Sequence, residues 1–184
     1  MIHLNIVMIR HLPTQWNMKG VLQGSKDIAL AEISSESKEQ IIANKKQLAD
    51  KYGDFEHVFA SALVRTQQTA RAYDYEAPTI EPLLNELNFG AFEGRKKSEL
   101  IAAHSDSWFD SPESIVLGEP LVALKQRVND FFQKYGNCEQ MLVFGHGNWI
   151  RSAMSLAQNN NLNLLNKIHL DNNQIVELAW DSKR

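Results

Sequence analysis

The 184-residue chain carries 19 lysines and arginines against 22 aspartates and glutamates, a formal net charge of −3 at pH 7. That weakly acidic balance argues against nucleic acid or an anionic membrane as the partner, since both attract basic proteins. One cysteine, Cys138, excludes an internal disulfide and fits a reducing compartment. With no signal segment and no long apolar run in the sequence, we expect one cytoplasmic domain over residues 1–184.

The first predicted element is a buried strand over residues 3–9, a short apolar run rich in β-branched side chains. It ends at Arg10-His11, and Pro13 prevents it from continuing. Open α/β folds bind ligands at the carboxyl edge of the sheet, where this pair would lie. A guanidinium group suits phosphate oxygens and a neutral imidazole is a nucleophile. Such a pair alone is usually incidental, so the prediction of phosphoryl transfer needs further signals.

Two later segments repeat this pattern of a strand, a polar residue and a helix. Residues 57–60 read as a strand, and Arg65 follows at the start of a helix, where the helix dipole favours an anion. Residues 141–144 read as another strand, followed by His146 between two glycines that let a ligand approach the backbone. Both segments predict further contacts to an anion at the same sheet edge.

The remaining pattern indicates an α/β protein throughout. A strand-like piece over residues 79–81 precedes Glu86, which lies among turn glycines. Helical patterns and a closing pair of strands complete the prediction: helices over residues 30–52, 65–73, 94–104 and 118–135, and strands over residues 167–170 and 174–180. We therefore expect a mixed, mostly parallel sheet with helices on both faces.

These segments, taken in order, resemble the histidine phosphatase superfamily, which includes the cofactor-dependent phosphoglycerate mutases and the α-ribazole phosphatases. Each motif is weak alone, but all of them occur in the order typical of the family. They are Arg10-His11 with Trp16-Asn17, Gln23-Gly24 with Asp27, residues 61–70, residues 84–94, and residues 146–151. The resemblance implies a phosphoglycerate mutase-like three-layer sandwich with a small cap segment.

The resemblance also implies a role for each motif residue. His11 would attack phosphorus and form a phosphohistidine, and Glu86 would protonate the leaving group and then activate water. Arg10, Arg65 and a protonated His146 would neutralise the transferred group. Further phosphate or substrate contacts fall on Asn17, Gln23, Gly24, Gly147 and Asn148. No cofactor and no metal are expected, because side chains supply the cations.

Two positions depart from the family pattern, which most often has glycine and glutamate after Arg-His. Leu12 implies a backbone that does not require a positive φ at this position. Pro13 removes an N–H that would otherwise be available to the phosphate. Neither change touches the nucleophile, but both bear on how the anion is coordinated.

The site content favours a phosphatase over a mutase. Between Glu86 and His146 the chain has few basic residues, and Lys125, Arg127 and Lys134 fall on a predicted long helix. Phosphoglycerate mutase-type transfer stays the alternative, as does a non-catalytic, regulatory phosphoester-binding module. Retention of both His11 and Glu86 favours catalysis over such a module. The expected partner is a small phosphorylated substrate, with the chain a monomer or homodimer.

The sequence does not identify the leaving group of that substrate. Four aromatic side chains either wall the pocket or simply pack a small cap: Phe89, Phe92, Trp108 and Phe109. Within the phosphatases, the segment over residues 84–94 and the short cap look most like α-ribazole phosphatase and broad-specificity bacterial members.

Overall fold

The computed structural model describes residues 3–181, which form a five-stranded sheet in the order β3-β2-β4-β1-β5. The first four strands are parallel to one another and β5 runs antiparallel to β1. Their bounds are β1 His3–Arg10, β2 Val58–Ala60, β3 Thr79–Ile80, β4 Gln140–Gly145 and β5 Ile175–Asp181. The predicted mixed, mostly parallel sheet is confirmed.

Six α-helices connect and cover these strands in the described part of the chain. They are α1 Gln15–Met18, α2 Ser35–Tyr52, α3 Val64–Ala72, α4 Lys97–Asp110, α5 Leu121–Tyr135 and α6 Gly147–Asn159. Short 3-10 turns lie at Pro82–Leu84, Gly90–Phe92 and Pro112–Ser114. Over residues 3–181, none of the helices has the length and apolar character that crossing a membrane requires.

The alternation of side chains along β1 produces three layers. Ile6 and Met8 point to a core that they share with the buried faces of α5 and α6. Val7 and Ile9 point to a second core on the opposite face of the sheet, against α2 and α3. Because successive strand residues face opposite sides, one apolar run can supply both cores. The predicted helices on both faces and the three-layer sandwich are confirmed.

The strand order creates a crevice between the carboxyl ends of β1 and β4. The chain leaves β1 toward α2 on one face, whereas it leaves β4 into α6 on the other. Adjacent parallel strands whose connections diverge in this way form the switch point at which open α/β sheets bind ligands. His11 follows β1 and His146 follows β4, so both imidazoles lie at this crevice.

Some helix boundaries differ from the predictions for local reasons. The helix expected from residue 30 begins at Ser35, because Ser34 caps it by accepting from the Ser37 N–H at 3.1 Å. Leu30 instead forms a bridge with Thr14. The helix expected over residues 94–104 occupies Lys97–Asp110, interrupted where Ser105 has a φ of 44°. The helix expected from residue 118 begins at Leu121.

The predicted strand over residues 167–170 is wrong. Only the second of the closing pair forms, as β5, and its partner is β1 rather than a hairpin neighbour. Residues 161–168 form turns that bury Leu162 and Leu165 in the core on the α5–α6 face. The Leu170 carbonyl accepts a hydrogen bond from Arg10 Nη1 at 2.6 Å instead of pairing in a sheet. The apolar spacing therefore indicates burial correctly, whereas the extended conformation inferred from it is wrong.

Candidate active site

A cavity of about 470 Å³ opens at the carboxyl ends of the parallel strands. Nine of the ten residues predicted for the site line it: Arg10, His11, Asn17, Gln23, Gly24, Arg65, Glu86, Gly147 and Asn148. The tenth, His146, is fully buried, and its ring centroid lies 5.4 Å from that of His11. Residues spread over most of the chain thus meet at one place, as the pattern of strand ends predicts.

The His11 ring is held in one orientation and one tautomer. Its Nδ1 lies 2.7 Å from the Leu12 carbonyl, and since a carbonyl can only accept, Nδ1 carries the hydrogen. Nε2 of the neutral ring is left with its lone pair, which is the form a nucleophile needs. The main chain of His11 is fixed as well, because its N–H donates to Gly145 and its carbonyl accepts from Asn172 Nδ2.

The unusual residue after His11 fits its surroundings. Leu12 has a negative φ, as its identity predicts, and its side chain is buried in the core on the α2–α3 face. Its N–H donates to the Thr69 hydroxyl at 3.0 Å. The Leu12 amide is therefore used inside the protein, and the departures at Leu12 and Pro13 leave the His11 ring untouched.

A chain of hydroxyl groups fixes the His146 ring. Its Nε2 lies 2.7 Å from the Ser61 hydroxyl, which also lies 2.9 Å from the Thr66 hydroxyl. The Thr66 hydroxyl donates to the Leu63 carbonyl, so Ser61 donates to Thr66 and accepts from His146 Nε2. Nδ1 of His146 is buried and has no hydrogen-bond partner among residues 3–181. This nitrogen is therefore the one available to an anion.

Burial and positive charge keep both imidazoles neutral. The pKa of His11 is lowered well below its usual 6.5 by burial first and by Arg65 and Arg10 next. The pKa of His146 is lowered well below the same value by burial, then by Arg65, His11 and Arg10. His146 is therefore neutral in the protein without an anion, and a protonated His146 around the transferred group stays a prediction. A bound anion would oppose this shift, because a nearby negative charge favours the imidazolium.

Arg65 is held by the turn that precedes α2. Its side chain is 1% exposed, and its Nη1 and Nη2 donate to the carbonyls of Lys26 and Gly24 at 2.7 and 2.8 Å. Gly24 has a φ of +53°, a conformation that glycine adopts at little cost. In the same turn Asp27 accepts from the Val64 N–H at 2.7 Å, which ties the turn to the start of α3. The turn and the arginine therefore position each other.

Arg10 and Arg65 both present an unpaired donor. The Nε atom of each is buried and has no hydrogen-bond partner among residues 3–181. Burial is also the first cause of the lowered pKa of each arginine. Gly147 makes room for Arg10, since a Cβ there would lie 3.3 Å from Arg10 Nε. Buried polar groups in proteins nearly always have a partner, so these atoms mark where an anion would bind.

The Glu86 carboxylate is fixed through both of its oxygens. Oε1 accepts from the Leu87 N–H at 2.8 Å, and Oε2 accepts from the Asn148 N–H at 3.1 Å in the first turn of α6. The side chain is 9% exposed, and its negative charge raises the pKa of Arg10 and Arg65 against the effect of burial. Glu86 thus lines the same cavity as His11, although it comes from the loop after β3 rather than from the end of β1.

Three amide side chains complete the predicted set. Asn17 Oδ1 accepts from the N–H and hydroxyl of Thr14, so its Nδ2 is the group free to donate. Asn148 Oδ1 accepts from Arg151 Nη2 at 2.6 Å. Gln23 Oε1 is buried and has no partner within the described residues.

The outer part of the cavity is more basic than the sequence suggested. Lys97 and Arg151 line it, and the pKa of Lys97 is lowered first by burial and then by the charges of Arg151 and Arg10. Burial lowers the pKa of Arg151 to about 10, so it stays a cation at neutral pH. Lys167 also lines the cavity, although its Nζ contacts Asp110 at 3.1 Å.

The four candidate aromatic residues divide into two pairs. Phe89 and Trp108 line the cavity. Phe92 instead packs against His104 and Arg95, and Phe109 is 36% exposed. Phe89 and Trp108 therefore belong to the pocket wall, whereas Phe92 and Phe109 do not line it.

Sequence reasoning missed several residues of the site. Ser61, which fixes the His146 ring, and Arg151 both lie inside recognised motifs, but their positions gave no role. Glu93, which was not predicted to have a role, accepts from the Ser25 and Phe89 N–H groups and so joins two turns beside the site. The Glu-Gly pair that Glu93 forms with Gly94 at a turn was the available signal.

The family profile described as histidine phosphatase superfamily (branch 1) matches residues 6–184. The putative phosphoserine phosphatase 2 of Hydrogenobacter thermophilus is 24% identical over 189 residues, which cover 97% of this chain and 91% of that protein. The probable phosphoglycerate mutase GpmB of Erwinia tasmaniensis is 32% identical over 134 residues, covering 68% of this chain and 60% of that protein.

Two solved structures share the fold. A mycobacterial glucosyl-3-phosphoglycerate phosphatase superposes with a TM-score of 0.77 at 16% identity, covering 94% of this chain and 91% of its own. A putative α-ribazole-5′-phosphate phosphatase from Escherichia coli gives a TM-score of 0.76 at 24% identity, covering 96% of this chain and 90% of its own. At these identities the likeness concerns the fold.

The protonation of the two imidazoles can be measured directly. In proton NMR titrations without phosphate, we expect both rings to titrate with midpoints below 6.5, because burial and the arginines oppose the charged form. Inorganic phosphate should raise both midpoints, since its charge favours imidazolium. Resonances are assigned by their loss in His11→Gln and His146→Gln. A phosphate-free midpoint at or above 6.5 for either ring contradicts the analysis.

Proposed function

The chain belongs to the histidine phosphatase superfamily, and we propose that it is a phosphomonoester hydrolase that forms a phosphohistidine on His11. One observation carries the proposal. The His11 lone pair, the Glu86 carboxylate and the free donors of Arg10 and Arg65 belong to residues that line a single cavity. That combination supplies a nucleophile, a proton carrier and an anion clamp.

In the first step, Nε2 of His11 attacks phosphorus and the bond from phosphorus to the ester oxygen breaks. Glu86 gives its proton to the departing oxygen, so the leaving group departs as a neutral alcohol. Arg10 and Arg65 neutralise charge on the phosphoryl oxygens during transfer. The products of this step are the free alcohol and phosphohistidine.

In the second step, water attacks the phosphohistidine and the phosphorus–nitrogen bond breaks. Glu86, now a carboxylate, takes the proton from water, and inorganic phosphate leaves His11 ready for another cycle. His146 becomes a donor only when the phosphoryl charge raises its pKa. The buried Ser61 contact keeps its Nδ1 as the donating atom.

The cations of this site are side chains, which supports a reaction that needs neither metal nor cofactor. Arg10, Arg65, Lys97 and Arg151 already provide positive charge around the cavity. Metal independence stays a prediction, as do the cytoplasmic location, the single-domain organisation, and a monomeric or homodimeric state.

The charge balance of the cavity supports a substrate with a second anionic group. Lys167 is paired with Asp110, and Glu86 is neutral in the acid form that the first step requires. The other charged side chains that line the cavity are then four cations, Arg10, Arg65, Lys97 and Arg151, against one carboxylate, Asp171. Three positive charges are thus in excess. A phosphomonoester above its second pKa of about 6 carries two negative charges, which leaves one uncompensated. A carboxylate on the leaving group would complement it, so we propose phosphorylated hydroxy acids as the substrate class.

Phosphoglycerate mutase-type transfer is the second candidate, and one observation favours it. Lys97 and Arg151 extend the positive charge beyond the phosphate pocket, where a substrate carboxylate or second phosphate would lie. The sequence has few basic residues between Glu86 and His146, but Lys97 from that stretch and Arg151 just after it both line the cavity. The two reactions differ in the acceptor of the phosphoryl group, which is water in a phosphatase and a substrate hydroxyl in a mutase.

The role of His11 is tested by trapping the phosphoenzyme. His11→Ala should lower turnover at least about a thousandfold and abolish acid-labile ³²P labelling, because Nε2 of His11 is the proposed acceptor of the phosphoryl group. His57→Ala, at a partly buried histidine that does not line the cavity, is the matched control and should label as the wild type does. Labelling of a folded His11→Ala protein at the wild-type rate would reject this nucleophile.

The role of Glu86 is tested by changing the leaving group. Glu86→Gln should slow hydrolysis of an alkyl phosphate by about 10²–10⁴-fold, because an alkoxide cannot leave without a proton. Nitrophenyl phosphate should lose less than about tenfold, since nitrophenolate leaves unprotonated. Asp171→Asn changes the other carboxylate that lines the cavity and should show no such difference. If Asp171→Asn rather than Glu86→Gln slows the alkyl phosphate more than nitrophenyl phosphate, Glu86 is not the general acid.

The substrate class is tested with 3-phosphoglycerate and glycerol 3-phosphate, which differ at the carboxylate. The carboxylated substrate should have the higher kcat/KM by about tenfold or more, the strength of one charge-assisted contact. Lys97→Met should remove most of this preference through KM. Lys96→Met is the control, because Lys96 contacts the Lys19 carbonyl outside the cavity.

These assays also separate the two candidate reactions. EDTA should change none of the rates, and ³¹P NMR should detect inorganic phosphate as the product. A positional isomer of the substrate as the main product would favour the mutase. Equal efficiency on both substrates would reject the proposed carboxylate preference.

A further inference from the structure

The segment that carries Glu86 has no regular secondary structure of its own. Residues 85–89 run between the 3-10 turns at Pro82–Leu84 and Gly90–Phe92. An irregular backbone has no helix or strand ladder to hold it, and a proton carrier must be placed within a fraction of an ångström. The position of Glu86 therefore depends on contacts from outside the segment.

Arg127 on α5 donates hydrogen bonds to several backbone carbonyl groups in and next to this segment. Its Nη1 donates to the carbonyls of Leu83 and Asn85 at 3.1 and 2.8 Å. Its Nη2 reaches the carbonyl of Glu86 at 3.5 Å. Arg127 does not line the cavity, and its charge is the last of the causes that lower the pKa of His146. Its hydrogen bonds reach the site only through the segment, and Arg127→Lys, which keeps the charge, separates the two effects.

Glu119 holds Arg127 and the other side of the segment together. Its Oε1 accepts from Arg127 Nη2 at 2.8 Å and from the Asn88 N–H at 2.9 Å. Its own N–H donates to the Asn88 carbonyl at 3.3 Å. The pair thus binds backbone groups both before and after Glu86.

A close backbone contact between Gly118 and Gly90 sets the distance between Glu119 and the segment. A Cβ on Gly118 would lie 2.6 Å from the Gly90 nitrogen, and a Cβ on Gly90 would lie 2.7 Å from the Gly118 nitrogen. Only glycine allows the two turns to meet this closely. Glu119, the next residue, is therefore held at one distance from Asn88.

We propose that Arg127 and Glu119 form a positioning pair that fixes the Glu86 carboxylate relative to His11. This inference rests on the proposed function, in which Glu86 moves the protons. The pair is partly buried, with side chains 22% and 18% exposed, and its bonds go to the backbone of one functional segment. Arginine suits this task because its planar fork reaches several carbonyls at once, which lysine cannot do.

The test compares leaving groups in three variants and a control. Arg127→Met, Arg127→Lys and Glu119→Gln move the segment without touching the cavity. Lys125→Met is the control, since Lys125 is on the same helix and pairs with Glu113 at 3.0 Å, and its hydrogen bonds within the described residues reach none of residues 83–88.

We expect a loss of kcat of up to about 10²-fold on an alkyl phosphate in Arg127→Met, the effect of displacing a reacting group by about 1 Å. Loss on nitrophenyl phosphate should stay within about threefold, because that leaving group needs no proton. Arg127→Lys and Glu119→Gln should lie between Arg127→Met and wild type. KM, inhibition by inorganic phosphate and the Lys125→Met rates should change by less than about twofold, since Arg10 and Arg65 are untouched.

A double variant gives the sharper result. In a Glu86→Gln background, Arg127→Lys should cause no additional loss on the alkyl phosphate, because a residue that acts only through Glu86 has nothing left to position. An additional loss equal to that of the single variant overturns the proposal. Equal losses on both leaving groups, or a matching loss of phosphate inhibition, overturn it as well.

The outcomes separate this inference from the function on which it rests. If Glu86→Gln shows leaving-group dependence and the Arg127 and Glu119 variants do not, only the positioning pair fails. If Glu86→Gln shows none, the proposed role of Glu86 fails. Circular dichroism checks folding first, and should Arg127→Met not fold, Arg127→Lys and Glu119→Gln test the pair in its place.

Discussion

The structure depends on keeping positive charge out of water at the crevice between β1 and β4. Arg65 is almost completely buried beside two neutral imidazoles, and Arg10 lies next to it. An ion moved out of water costs several kcal/mol even after relaxation, unless partners compensate it. Backbone carbonyls of Gly24, Lys26 and Leu170 supply part of this compensation, and the Glu86 carboxylate supplies more. The excess that remains is the driving force for binding an anion.

This arrangement explains how a weakly acidic protein can bind a negatively charged substrate. The net charge of −3 belongs to the whole chain, whereas the residues that line the cavity have an excess of positive charge. Buried charges are screened less by salt than exposed ones, so the local field dominates at short range. Burial beside these cations keeps His11 and His146 neutral, which leaves a lone pair on Nε2 of His11 and opposes protonation of His146. One physical cause, burial beside cations, thus sets the chemistry of both histidines.

The residues of the site differ in how their backbone is held. Arg10, His11 and His146 follow directly from two central parallel strands, and sheet hydrogen bonds fix their backbone. Glu86 comes from an irregular segment and the outer cations come from loops and helix ends. The contacts that hold the Glu86 segment are long-range, from α5 and α6. Variation in the loops can therefore change the substrate while the strand ends retain the transfer chemistry.

The mostly parallel sheet and the residues at its strand ends could be predicted from local patterns, since apolar runs define strands and parallel strands bring their ends to one edge. The family resemblance added the three-layer arrangement and the other residues of the site, such as Asn17 and Gln23. Other features depend on tertiary contacts. The segment over residues 167–170 shows why, because buried apolar spacing does not distinguish a strand from turns packed on a core. Likewise, the protonation of His146 and the roles of Arg127, Arg151 and Ser61 depend on burial and on partners far away in the chain, and neither can be read from neighbouring residues.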